Sequence, residues 1–145
     1  MSPLEQWHVA LRWLARAEQD LKVVQTLLAF GDRQLDNAAF HLQQVAEKVL
    51  EGMLAAGARP FRKAHGLDDL ATWVGELHPD LAPELADLEP YTTWVAAGRY
   101  PDARTSVPIT RATVETLLTR CVTLMARARP LDPARRRGTT GDRQP

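Results

Sequence analysis

Asn37, His41, Gln44, Lys48 and Glu51 follow one another at intervals of four, three, four and three residues. That spacing places all five on one face of a helix. Gln43 and Glu47 form a neighbouring row. A solvent face is ordinarily filled by Glu, Lys and Arg. An Asn, a His and two Gln together are better suited to fixed hydrogen bonds, because each can donate and accept. The residues leave two readings open. The face fixes a ligand, or it stitches helices together, with Asp20, Arg99 and Tyr100 available as partners for buried amides and imidazole. The plainest alternative is a wetted surface on which Glu47, Lys48 and Glu51 pair for a few tenths of a kcal/mol.

Two further clusters carry comparable chemistry. Lys63 and His65 lie in a Pro- and Arg-bearing connection, Ala58 to Gly66, and Arg99-Tyr100-Pro101-Asp102 forms an irregular stretch. Arg99, Lys48 and Lys63 suit a phosphate, while His41 and His65 are the groups best placed to move a proton. The expected ligand-binding set is therefore His41, Gln44, Lys48, Lys63, His65, Arg99 and Tyr100. No catalytic residue is assigned. For Arg99 to Asp102 the competing reading is a loop anchor, with Pro101 fixing the backbone and the charges capping helix ends. The His residues lack the paired spacing of a zinc site, so neither a metal nor a cofactor is expected.

The elements that must position these groups are helices. Trp7, Ala10, Leu14, Ala17, Leu21, Val24 and Leu28 recur every three or four residues and predict a first helix from about Pro3 to Phe30. Gly31 then supplies a stop. Asp36 is a good N-cap for a second helix reaching Ala56, with Ala38, Leu42, Val45, Val49 and Met53 as its apolar stripe. A short third helix covers about Leu67 to Leu77. A fourth runs from Pro83 to Leu88, and Pro90 ends it before a turn at Tyr91 to Ala97. The last spans Thr110 to Arg129, with Val114, Leu117, Leu118, Cys121, Leu124, Met125 and Ala128 facing inward. The expectation is an all-α, antiparallel up-and-down bundle of about five helices over residues 1–129. Residues 130–145, LDPARRRGTTGDRQP after Pro130, lack apolar periodicity and read as a disordered basic tail. Trp7, Trp13, Trp73 and Trp94 read as core or interface anchors.

Composition narrows the functions. Lys plus Arg equals Asp plus Glu at 18 each, so the chain lacks the basic excess of a protein that grips nucleic acid by charge alone. The single cysteine, Cys121, excludes an intramolecular disulfide and a Cys-based metal site. No run of about 18 apolar residues appears and the start MSPLEQWHVALRW lacks a signal-peptide pattern. A cytoplasmic protein with no membrane partner is expected.

Several stretches together resemble a known family. Ala17 to Leu21 (AEQDL), Ala38 to Leu54 (AAFHLQQVAEKVLEGML), Lys63 to Leu70 (KAHGLDDL) and Tyr91 to Ala103 (YTTWVAAGRYPDA) are similar, in order and spacing, to the HEPN family, the nucleotide-binding helical domains of prokaryotes and higher eukaryotes. The resemblance spans about Trp7 to Met125. It implies a five-helix bundle that is usually a homodimer, often beside a minimal nucleotidyltransferase in a toxin–antitoxin-like pair, with a nucleotide or RNA as ligand. Several branches of the family are metal-independent endoribonucleases that use an Arg, four to six residues, then a His, late in the domain. Here Arg99 is followed by Tyr-Pro-Asp-Ala-Arg-Thr-Ser, and the last His of the chain is His78. Arg59 and His65 have five residues between them but precede the third helix. The expected function is thus a nucleotide- or RNA-binding interaction module, with a ribonuclease of departed motif as the alternative.

Overall fold

The computed structural model describes residues 1–60 and 66–138. Its frame is a hairpin of two long helices. α1 (Pro3–Ala29) opens with a capping box, in which the Ser2 hydroxyl accepts from the Glu5 amide and the Glu5 carboxylate accepts from the Ser2 amide. Hydrogen bonds to the carboxylate from the Ser2 amide and, secondarily, the Ser2 side chain hold the Glu5 carboxyl below its ordinary range. Gly31 adopts φ +85°, where a side chain would be strained, and turns the chain into a 3-10 turn at Asp32–Gln34. α2 (Leu35–Ala56) runs directly out of that turn. Its N-cap is Gln34 rather than Asp36, because the 3-10 turn already supplies the first helical residues, and Asp36 falls within the first turn.

Small residues bring the two helices together. Ala10 and Ala17 of α1 and Ala38, Ala39 and Ala46 of α2 are all buried. At Gly52 a Cβ would stand 3.3 Å from the Trp13 Cβ and 3.4 Å from the Ala10 carbonyl oxygen. α2 is the central element, burying Leu42, Val45, Val49, Leu50, Met53 and Leu54. It packs on α1, on α3 (Leu67–Leu77), on α5 (Trp94–Arg99) and on α6 (Arg111–Ala128). α6 contributes Val114, Leu117, Cys121, Leu124 and Ala128 to the core, and burial pushes the Cys121 thiol up to about 12. The molecule is an all-α bundle, with no strand among the described residues.

Three short helices depart from the expected pattern. α4 is Ala82–Ala86, and a 3-10 turn at Glu89–Tyr91 leads into α5, where the sequence suggests only a turn. Six residues are too few to show helical periodicity, yet α5 is anchored by Trp94. Its ring is fully buried, meets Tyr91 edge to face at 4.8 Å, and donates from Nε1 to the Val107 carbonyl at 2.9 Å. The third departure lies past residue 129. Arg129–Leu131 forms a 3-10 turn and α7 covers Pro133–Gly138. Asp132 Oδ1 accepts from the Ala134 amide at 2.9 Å, and Leu131 packs against the core. The helical course therefore continues beyond the expected boundary at 129, because a cap and one apolar side chain suffice to extend it. Residues 139–145 of the expected tail lie outside the described residues.

Candidate functional site

The polar face of α2 is divided between two neighbours. On the flank toward α1, Asp20 sits one helical turn beyond the buried Ala17 and reaches across the seam. The Lys48 ammonium donates to Asp20 Oδ2, and His41 Nδ1 lies 3.5 Å from Asp20 Oδ1. All three side chains are largely shielded from water. The Phe40 and His41 rings meet edge to face at 5.6 Å. One carboxylate thus answers two basic groups and ties α2 to α1.

The flank toward α5 is acidic and less well satisfied. Gln43 is 1% exposed; its Nε2 donates to Glu47 Oε1 at 3.0 Å, while its Oε1 has no partner among the described residues. Burial raises the Glu47 carboxyl above its ordinary value, against the pull of Lys48, Arg99 and the Gln43 hydrogen bond. Burial, together with repulsion from Glu47, pushes Glu51 up to about 7, and Lys48 opposes the shift.

Beyond the N-terminal end of this row lies a cleft of about 360 Å³. Asp36, Asn37 and Phe40 form one wall, and Arg99, Tyr100 and Pro101 the other. The second wall is held by local bonding. α5 ends as the Tyr100 amide donates to the Ala96 carbonyl at 2.8 Å, and the Ala103 amide donates to the Tyr100 carbonyl at 3.1 Å. Thr93 Oγ1 accepts from the Ser106 amide at 3.0 Å, which with the Trp94–Val107 bond pins the loop to the helix that carries Arg99. Arg99 and Tyr100 project to solvent, Tyr100 being 62% exposed.

The structure therefore sorts the sequence-selected residues into two places. His41 and Lys48 meet at Asp20, and Arg99 and Tyr100 meet at the cleft. Gln44 is half-buried on the face between them. Lys63 and His65 lie outside the described residues. Arg59 is paired with Glu76 of α3. Sequence reasoning missed the Asp36 and Phe40 wall, since Asp36 read as a cap and Phe40 was given no role. The wetted-surface alternative for Glu47 is not met either, since burial raises its carboxyl.

Among the described residues no group of three or more His, Cys, Asp or Glu is arranged to hold a metal ion, and no helix is long and apolar enough to cross a membrane. No curated protein matches the chain. A family model described as HEPN domain matches residues 10–129, which include every element that builds the α1–α2 clasp and the cleft. Those residues make this a nucleotide- or RNA-related helical module in general, and the chain belongs to the HEPN domain family.

Proposed function

We propose that this HEPN domain binds a nucleotide, free or as part of an RNA, in the cleft between the start of α2 and the Arg99–Pro101 turn. The observation that carries the reading is the convergence there of a solvent-facing guanidinium and two aromatic rings around about 360 Å³. That volume falls in the range of roughly 300–1,000 Å³ typical of small-ligand sites. A guanidinium grips a phosphate through two parallel N–H bonds, and an exposed tyrosine ring offers a face for a base. Lys48 and His41 contribute indirectly, by fixing α2 against α1. On family grounds the domain works as a homodimer and alongside a minimal nucleotidyltransferase, in a toxin–antitoxin-like arrangement.

Arg99→Ala is the test. Titration of labelled single-stranded RNA and of nucleoside monophosphates should show affinity reduced about tenfold, the loss of one charged hydrogen-bonding contact, while circular dichroism stays unchanged. Binding unaffected by Arg99→Ala, or no binding of either ligand by the wild type, would remove the cleft from consideration. Cleavage of the RNA by the wild type but not by Arg99→Ala would make the site catalytic rather than only binding.

A further inference from the structure

Asp36 and Arg99 line opposite walls of one cleft, yet they form no ion pair with each other. Among the described residues, neither forms an ion pair with any other group. Several opposite charges do meet elsewhere, although other exposed ones, Arg12, Lys22 and Asp102 among them, also form no ion pair among the described residues. Asp20 pairs with Lys48, Asp87 with Arg120, Asp80 with Arg127, and Asp32, four residues before Asp36, lies 3.5 Å from Arg111. A carboxylate and a guanidinium held apart across a gap suit a ligand with an anion at one end and hydrogen-bond donors at the other. Phe40 and Tyr100 border the space between, and Asn37 stands next to Asp36 with both donor and acceptor capacity.

From this arrangement we infer that the cleft selects a guanine nucleotide, with the phosphate at Arg99 and the base edge at Asp36. The inference rests on nucleotide binding at this cleft as proposed above. An ionised carboxylate only accepts, and does so through two oxygens side by side. Guanine is the common base that presents two adjacent donors, N1–H and N2–H, on one edge. Adenine and cytosine each offer one amino group beside an accepting ring nitrogen. Uracil offers one N–H between two carbonyl oxygens, which the carboxylate repels. Asn37 can donate to guanine O6, the acceptor that flanks the two donors, and the aromatic rings supply stacking that every base shares.

The experiment compares binding of the 5'-monophosphates of guanosine, adenosine, cytidine and uridine, and of deoxyguanosine, to the full chain and to Asp36→Asn. Wild type should bind the guanosine nucleotide about tenfold more tightly than the other three bases, the discrimination expected of one bidentate base contact. Its deoxy form should bind nearly as well. Asp36→Asn should bring the four bases to within about twofold of one another, chiefly by weakening guanosine monophosphate binding. A thermal melt of the variant confirms that the fold is intact. Equal affinity for all four bases would overturn guanine selection and leave nucleotide binding standing. A preference for ribose over deoxyribose without base preference would reassign Asp36 to sugar hydroxyls and also overturn it. Absence of binding by any monophosphate at millimolar concentration would overturn guanine selection too; if RNA is also not bound, the proposed function falls with it.

Discussion

Lys48 and His41 project from α2 toward a single carboxylate on α1, whereas Glu47, within the field of Arg99 on α5, and Glu51 beside it find no ion-pair partner within 4 Å among the described residues. The first flank is close to electrically complete. Asp20 faces both basic groups and all three are mostly shielded, although His41 Nδ1 makes no hydrogen bond among the described residues. The second keeps charge in reserve, with a buried amide oxygen unpartnered, two carboxyls shifted upward, and Arg99 near enough to act on Glu47 without pairing to it. A polar helical face can thus serve two ends at once. Where the charges are matched it ties helices together, and where they are left unmatched the carboxyls are raised by burial.

The largest expected effect breaks the matched flank. Asp20→Ala leaves Lys48 and His41 partly buried beside an empty position, and charged hydrogen bonds of this kind contribute about 1.5–3 kcal/mol. We expect about 2 kcal/mol of destabilisation by urea unfolding, with nucleotide affinity per folded molecule unchanged. Lys48→Ala in the Asp20→Ala background should add much less than it does alone, since the two residues share one interaction. A loss of binding with little loss of stability would mean that Asp20 serves the ligand and that the two flanks are not separate. Arg99→Ala should show the inverse profile, weakened binding and unchanged stability.

The unmatched flank is sharpened by pH. Glu51 carries a carboxyl raised from its ordinary value near 4.5 to about 7. The folded chain therefore binds this proton more tightly than the unfolded chain does. Stability from this group is present at and below pH 4.5 and is lost as pH rises through about 7. The melting temperature should fall between pH 6 and pH 8, and Glu51→Gln should flatten that slope and stabilise the protein at pH 8. Because Glu51 is only partly buried, solvent screening limits the gain to about 1 kcal/mol. An unchanged slope in Glu51→Gln would show that the row is freely solvated and that the contrast between the flanks is smaller than the burial indicates.

Much of the α1–α2 clasp was legible in the sequence, and little of the cleft was. The long helices α1, α2 and α6 announce themselves by apolar recurrence, and Asp20 in the AEQDL element stands out as a partner for the His41 and Lys48 face. Both ends of that contact lie on helices long enough to be phased. The cleft joins residues 36–40 to residues 99–101. Their approach depends on α5 packing on α2, and α5 owes its position to Trp94, its bond to Val107 and the Thr93–Ser106 bond rather than to periodicity. Hydrogen bonds from side chain to backbone across an irregular loop leave no repeating signature. The same reason hid the helical continuation after residue 129, where a single Leu and an Asp cap do the work.

That continuation gives the smallest expected effect. Leu131 is half-buried against the core, and with Pro133 it lines a cleft of about 650 Å³ whose other walls are Ser2 to Leu4, Gln6 and the end of α2 at Ala56 and Gly57. Truncation after Arg129 removes one side of that cleft and exposes the start of α1. Full burial of a leucine is worth about 1.5–3 kcal/mol, so half-burial supports a loss of about 1 kcal/mol, or about 3 °C in melting temperature for a chain of this size. Leu131→Ala in the full chain should reproduce most of that loss, because Leu131 is the apolar side chain after Arg129 that packs against the core. If truncation leaves the melting temperature unchanged, residues 130–138 are a passive extension and the folded unit ends where the apolar periodicity does. If truncation costs far more than Leu131→Ala, the α1–α7 contact carries stability of its own, and the α1 end of the matched flank extends further than Asp20 and its two partners.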